Sequence, residues 1–160
     1  MRIGVISDTH IPHAAPALPP EIYTALEGAD MILHAGDIVR PSVLEDLRRL
    51  AKVEAVYGNM DGPELRELLP AKKIIKAGRF RIGLIHGSGA PFKLMETVKK
   101  EFPSSIDVIV FGHSHSAVNE SKEGILFFNP GSLTDKVFAK YNSYGILTVN
   151  GKIEGKIIRI

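Results

Sequence analysis

Short apolar runs recur along the first two thirds of the chain: Ile3-Gly4-Val5-Ile6, Met31-Ile32-Leu33, Val53-Glu54-Ala55-Val56-Tyr57, Ile82-Gly83-Leu84-Ile85 and Val108-Ile109-Val110-Phe111. Runs of this length, rich in β-branched residues, read as buried strands. Amphipathic stretches alternate with them. Pro20 suits the first turn of a helix through Leu26, with Gly28 as its terminator. Pro41-Ser42-Val43-Leu44-Glu45 has capping-box spacing, which predicts Ser42 as N-cap and Glu45 at the third helical position. Leu44, Leu47 and Leu50 follow as an apolar stripe. A short helix is expected over Glu64–Leu69, closed by Pro70, and another from Pro91 to about Phe102. Lys72–Lys76 and Phe80–Ile85 read as a hairpin around Ala77-Gly78-Arg79. Beyond residue 115 the pattern changes. Ala117–Ser121 with Ile125–Phe128, and Ser143–Val149 with Lys152–Ile160 around Asn150-Gly151, predict two further hairpins and an antiparallel β tail. Strand–helix alternation followed by hairpins predicts an α/β domain over residues 1–160, with two packed sheets flanked by helices.

The residues just after each of the five runs carry the chemistry. They are Asp8-Thr9-His10, Gly36-Asp37, Gly58-Asn59, His86-Gly87 and Gly112-His113-Ser114-His115. Ligands of open α/β sheets bind at the carboxyl ends of strands. Carboxylate, imidazole and amide at five such ends form a metal-binding set. Asp, Asn and His beside Gly are also common in turns, so each cluster alone has an ordinary explanation. Five clusters in one register do not.

Composition narrows the picture. At 160 residues the chain can bury one ordinary core, and the apolar content of 44% fits a globular protein. No apolar run is long enough to span a bilayer. A strand begins within two residues of Met1, so no signal or transit peptide is expected and the cytoplasm is the default compartment. Cysteine is absent, which excludes disulfides, thiolate zinc sites and a Cys nucleophile. A net charge of +2, spread along the chain, argues against nucleic acid as partner.

The order of the clusters resembles the calcineurin-like metallophosphoesterase superfamily, whose blocks run D-x-H, G-D, G-N, H and G-H-x-H. It is most similar to that superfamily's small phosphodiesterases of the YfcE type. Asn129-Pro130-Gly131-Ser132 matches a further block of those small members. The resemblance implies a four-layer α-β-β-α sandwich of two mixed β-sheets. It implies two divalent metal ions, one held by Asp8, His10, Asp37 and His115, the other by Asp37, Asn59, His86 and His113, with Asp37 as the bridge. A hydroxide bridging the ions would attack the phosphate of a small phosphorylated substrate, with Asp37, Asn59 and His86 at the catalytic centre. The family points to Mn²⁺, and the mixed oxygen and nitrogen donors equally suit Ni²⁺, Co²⁺, Fe or Zn²⁺.

One position departs from the pattern. Many members carry His after the G-N pair, where it is thought to protonate the leaving oxygen. Here Met60 follows Asn59, and a thioether donates no proton. Positioned acid–base catalysis is worth on the order of 10²–10⁴-fold, so leaving groups that need no proton should be favoured. Asp61, His13 or a water could substitute.

Around the ligand set, His34, Asp61, Asn129 and Ser132 are expected to support the metal ligands, as such ligands require. Asp61 could alternatively cap the helix that starts at Pro63. Asn59 and His13 are candidate substrate contacts. Gly87-Ser88-Gly89 could offer backbone N–H groups to phosphate. Two competing functions remain. A retromer subunit of this fold serves mainly as a binding surface, which makes a non-catalytic scaffold one alternative. A nuclease is the other, and scarce aromatics and basic patches speak against it. The C-terminal hairpin could present an edge for a homodimer or homotetramer.

Overall fold

Period-two alternation along the apolar runs sorts their side chains between layers. In the first strand Ile3 and Val5 face one way and Ile6 the other, and they enter different core clusters. The computed structural model describes residues 1–160. In chain order the elements are β1 (Arg2–Ile6), α1 (Pro20–Leu26), β2 (Met31–His34), α2 (Ser42–Arg48), β3 (Val53–Ala55), α3 (Pro63–Leu68), β4 (Lys72–Ala77) and β5 (Phe80–Ile85). A 3₁₀ turn (Pro91–Lys93), α4 (Leu94–Lys99), β6 (Val108–Val110), β7 (Val118–Lys122), β8 (Ile125–Asn129), β9 (Ser143–Val149) and β10 (Ile153–Arg159) complete the chain.

The strands form two five-stranded sheets, ordered β10-β9-β1-β2-β3 and β4-β5-β6-β8-β7. They face each other across 15 buried residues, among them Ile3, Val5 and Leu33 from one sheet and Ile82, Leu84, Val108 and Val110 from the other. A second cluster of 14 joins Ile6 and Ile32 to Ile22 and Leu26 of α1 and to Val43, Leu44 and Leu47 of α2. A third cluster of seven joins Ile109 and Phe127 to Leu94 and Val98 of α4. The layers are therefore α-β-β-α. Close approach of α1 depends on Gly4, where a Cβ would lie 2.5 Å from Leu26 Cδ2. No helix is long and apolar enough to cross a membrane.

The pairings β1–β2, β2–β3, β5–β6 and β6–β8 are parallel. The carboxyl ends of β1, β2 and β3 thus open at one edge of the first sheet, and those of β5, β6 and β8 at one edge of the second.

Four local expectations need correction. Ser42 is the first helical residue and not the N-cap; Pro41 occupies that place, already in helical conformation, with no side-chain cap. Short bonds from Val43 N–H to Arg40 O and from Leu44 N–H to Pro41 O satisfy the first turn instead. The helix expected to reach Phe102 splits into the 3₁₀ turn and α4, which stops at Lys99, consistent with Pro103 disfavouring helical backbone just before it. β3 ends at Ala55, two residues before Tyr57, because Tyr57 N–H turns to Pro70 O. The last third is not antiparallel throughout, although both expected hairpins form. Its hairpins divide, β9–β10 joining the first sheet through β1 and β7–β8 joining the second through a parallel β6–β8 pair.

Candidate metal centre

Five loops converge where the parallel strands end, and their backbones lock before any side chain is considered. Asp8 N–H donates to Gly36 O at 3.0 Å, His10 N–H to Asp37 O at 3.0 Å, and Gly112 N–H to His86 O at 3.1 Å. The loops touch so closely that two glycines are obligatory. A Cβ on Gly58 would lie 2.2 Å from Asp37 Oδ1, and one on Gly112 would lie 2.0 Å from Ser7 Oγ. Seven non-glycine residues have left-handed backbone, and five of them are Asp8, His10, Asp37, His113 and His115. Such conformations cost of order 1–3 kcal/mol each and persist where the surroundings impose them, typically at functional sites.

The side chains gather in two groups that share one carboxylate. Donor atoms of Asp8, His10 and His115 lie within 4.8 Å of one another, as do those of Asp8, Asp37 and His86. Asp37 Oδ2 sits 3.3 Å from His86 Nε2 and 3.7 Å from His10 Nε2, between the groups. Its other oxygen, Oδ1, accepts the N–H of Met60 at 2.7 Å. A single oxygen of Asp37 therefore faces both groups. Asn59 Oδ1 lies 3.1 Å from His86 Nε2 and 3.0 Å from His113 Nδ1, which draws Asn59 and His113 to the second group.

Three of these imidazoles have their outer nitrogen tied to an oxygen. His86 Nδ1 donates to Ala35 O at 2.7 Å, His113 Nε2 to Gly89 O at 3.1 Å, and His115 Nδ1 to the Asp135 carboxylate. The inner nitrogens of the neutral rings then present lone pairs to carboxylate and amide oxygens, an array of acceptors without a donor. Asp8 Oδ1 is likewise buried with no hydrogen-bond partner. Buried unpaired acceptors are costly, and a cation would satisfy all of them at once. Protons take that role when no metal is bound. Burial lowers the His115 pKa, but the Asp8 and Asp135 carboxylates beside its two ring nitrogens outweigh it and hold the group at about 9. Burial opposes His86 too, and Asp37 and Asp8 raise it on balance. At His10 burial prevails and the pKa falls.

Residues 1–152 match the calcineurin-like phosphoesterase superfamily domain. The chain belongs to this superfamily. It is a hydrolase of phosphate esters that uses divalent metal. A probable metallophosphoesterase of Methanothermobacter thermautotrophicus is 37% identical over 99% of this chain and 92% of its own length. The solved structure of an archaeal phosphodiesterase, 27% identical, superposes with a TM-score of 0.77 over 100% of both chains. Vps29 of Entamoeba histolytica in complex with Zn²⁺ is 26% identical and superposes with a TM-score of 0.77 over 99% of each chain.

Within the phosphoesterase site, the remaining candidates divide by depth. His34 is fully buried, and burial drives its pKa down to about 3. Its Nδ1 accepts Gly36 N–H at 3.2 Å and its Nε2 donates to Thr9 Oγ1 at 3.1 Å, so it ties the β1 and β2 loops together. Asp61 does not cap α3; its carboxylate accepts the N–H groups of Asp37, Ile38, Val39 and Gly58. Ser132 Oγ donates to Asp8 O at 2.8 Å, and Asn129 Nδ2 to Gly112 O at 2.9 Å. His13 stands apart from the ligand groups and lines the cleft above them. Gly87 and Ser88 line a neighbouring groove together with Asn59 and His86, and Gly89 offers its carbonyl to His113.

Sequence reasoning missed Asp135. Its carboxylate receives His115 Nδ1–H and the N–H groups of Val137, Phe138 and Ala139. These bonds oppose burial and hold its pKa down to about 2. A signal was present: Ser132-Leu133-Thr134-Asp135 has capping-box spacing, and Ser132 Oγ accepts Asp135 N–H at 3.0 Å without a helix following. Metal must displace the His115 proton, so affinity should rise with pH up to about 9. Asp135→Asn should weaken metal binding roughly 10–100-fold above pH 9, because the outer partner of a ligating imidazole is lost. Nearer pH 7 the loss should be smaller, because a less basic His115 also competes less for protons. Calorimetric metal titration at both pH values checks this, and an unchanged affinity at high pH would contradict it.

Proposed function

We propose that this phosphoesterase is a phosphodiesterase acting on a small molecule, with phosphomonoesters as poorer substrates, at a pair of divalent cations of which Mn²⁺ fits first. The observation that carries the reading is the donor array itself, two groups sharing Asp8 and facing one oxygen of Asp37, on the floor of an open cleft of about 720 Å³. In this reading Asp8, His10, Asp37 and His115 hold one cation, and Asp37, Asn59, His86 and His113 hold the other. The cations supply Lewis acidity toward phosphoryl oxygens and a water-derived nucleophile near neutral pH. The chain's own residues supply position. Ala35, Gly89 and Asp135 fix the imidazole tautomers, so each inner lone pair faces the cleft floor. Asn59 and His13 line the cleft where a phosphate oxygen would lie. Met60 contributes its backbone N–H to Asp37 and no acid, so leaving groups that need no proton should be favoured. A cysteine-free chain suits the cytoplasm.

The experiment is hydrolysis of an aryl phosphodiester beside the matching monoester by metal-stripped protein resupplied with Mn²⁺. Metal-restored turnover, faster with the diester, is expected. No turnover with any divalent cation would reject the reading and favour the scaffold alternative.

A further inference from the structure

Nine large apolar side chains are exposed on this protein, and four of them gather at or beside one cleft. Met60, Val137 and Phe138, exposed to 50%, 80% and 79%, all line the metal cleft. Pro91 lines it as well, followed by Phe92 at 84% exposure. Singly exposed apolar residues need no explanation, whereas a cluster around a polar floor marks a binding site.

The cluster has two sides, one for each donor group. Phe138 stands over the first group, its ring centroid 6.2 Å from that of His115 in an edge-on arrangement. Met60 adjoins the second group, directly after Asn59 and bonded through its N–H to Asp37 Oδ1. The Phe138 side is built rather than loose. The Asp135 carboxylate accepts the N–H groups of Val137, Phe138 and Ala139 while holding His115 Nδ1, so the loop that presents the apolar side chains is clamped to a metal-ligand candidate. Asn142 Nδ2 closes the same loop on Asp135 O at 2.7 Å. Apart from the histidines, the lining contains one cation, Lys136. Little lining charge thus remains for a second anionic group.

A phosphate diester has one negative charge and two organic arms, whereas a monoester has two negative charges and one arm. A charged floor flanked by an apolar surface on either side fits the first. We infer that Phe138 with Val137 on one side, and Met60 on the other, are specificity determinants that receive the two ester groups of a diester carrying planar or apolar arms, such as aryl or heteroaromatic alcohols. The inference deepens the phosphodiesterase reading of the same floor and rests on it. A ring packed against Phe138 gains contact area and an aromatic pair interaction.

The test is calorimetric titration of the Mn²⁺-loaded protein with diphenyl, methyl phenyl and dimethyl phosphate. Affinity is expected to rise by roughly tenfold for each methyl replaced by a ring. Phe138→Ala and Met60→Ala should each remove about one of these steps and compress the ratio between ligands. Equal affinity for the three wild-type ligands would overturn the inference. So would a Phe138→Ala variant that weakens all three by one common factor, because the loop would then serve only to hold Asp135 and His115. Turnover of an aryl diester is read separately. Graded binding without turnover sustains the rim's preference and removes the phosphodiesterase reading; turnover with ungraded binding does the reverse.

Discussion

Asp37→Asn should lower metal-restored diester turnover by roughly 10³-fold or more, since a charged metal ligand supplies several kcal/mol of transition-state stabilisation and each 1.36 kcal/mol is tenfold. The substitution is nearly isosteric, and the Oδ1 that accepts Met60 N–H is retained. What changes is the inner atom. An amide NH₂ replaces the oxygen 3.3 Å from His86 Nε2 and 3.7 Å from His10 Nε2. It removes one negative charge from between the two donor groups and places N–H donors where lone pairs should meet a cation. The metal-free variant should fold with a melting midpoint close to wild type. The upward shift that Mn²⁺ produces should disappear; at a hundredfold excess over the dissociation constant that shift corresponds to about 2.7 kcal/mol. Paired melting curves and turnover assays check both parts. Turnover within tenfold of wild type would mean that Asp37 Oδ2 is not a shared ligand.

Asp61→Ala should be the most destabilising single substitution near the site, through backbone alone. The Asp61 side chain is buried and accepts four N–H groups, with Asp37 and Gly58 on one oxygen at 3.1 and 2.7 Å and Ile38 and Val39 on the other at 2.8 and 2.6 Å. It thereby joins the β2 loop to the β3 loop. It also holds Val39 at a φ of 73°, a conformation that a β-branched residue adopts only under constraint. Each unpaired buried N–H costs about 1–3 kcal/mol, part of which water recovers. The net loss should be about 3–5 kcal/mol, a drop of roughly 10–15 °C in melting midpoint for a chain of this size. Asp61→Asn keeps one acceptor oxygen and should fall between wild type and Asp61→Ala. Metal affinity should fall as well, because the Asp37 backbone is one of the four donors. A thermal shift below about 3 °C for Asp61→Ala would show that solvent replaces the carboxylate.

The strands, the loops after them and the residue types they carry were legible because each rests on neighbours in sequence. Alternation within Arg2–Ile6 sorts its side chains between layers wherever that strand sits. The pairs Gly36-Asp37, Gly58-Asn59 and Gly112-His113 record locally that a small residue and a polar one must meet at a crowded turn. Such features survive in any tertiary context that buries the strand, so a single sequence displays them.

Other features rest on contacts between distant segments, and these only the folded chain decides. The β7–β8 and β9–β10 hairpins have similar patterning, yet one extends the second sheet and the other the first, because alternation states which face is buried and not against which strand. By spacing Asp61 reads either as support for the ligand loops or as a helix cap, and its bonds to N–H groups 22 to 24 residues away decide for the first. Asp135 carries only a local capping-box spacing in the sequence, and its bond to His115 forms across 20 positions. Ser132 meets Asp8 across 124. The sequence by itself determined the sandwich class, the strand ends and the donor set, through local periodicity and residue chemistry. Tertiary structure decided which oxygen of Asp37 faces both donor groups, which groups orient the imidazoles, and which apolar side chains stand at the rim, because those outcomes depend on distances between atoms that the chain order leaves free.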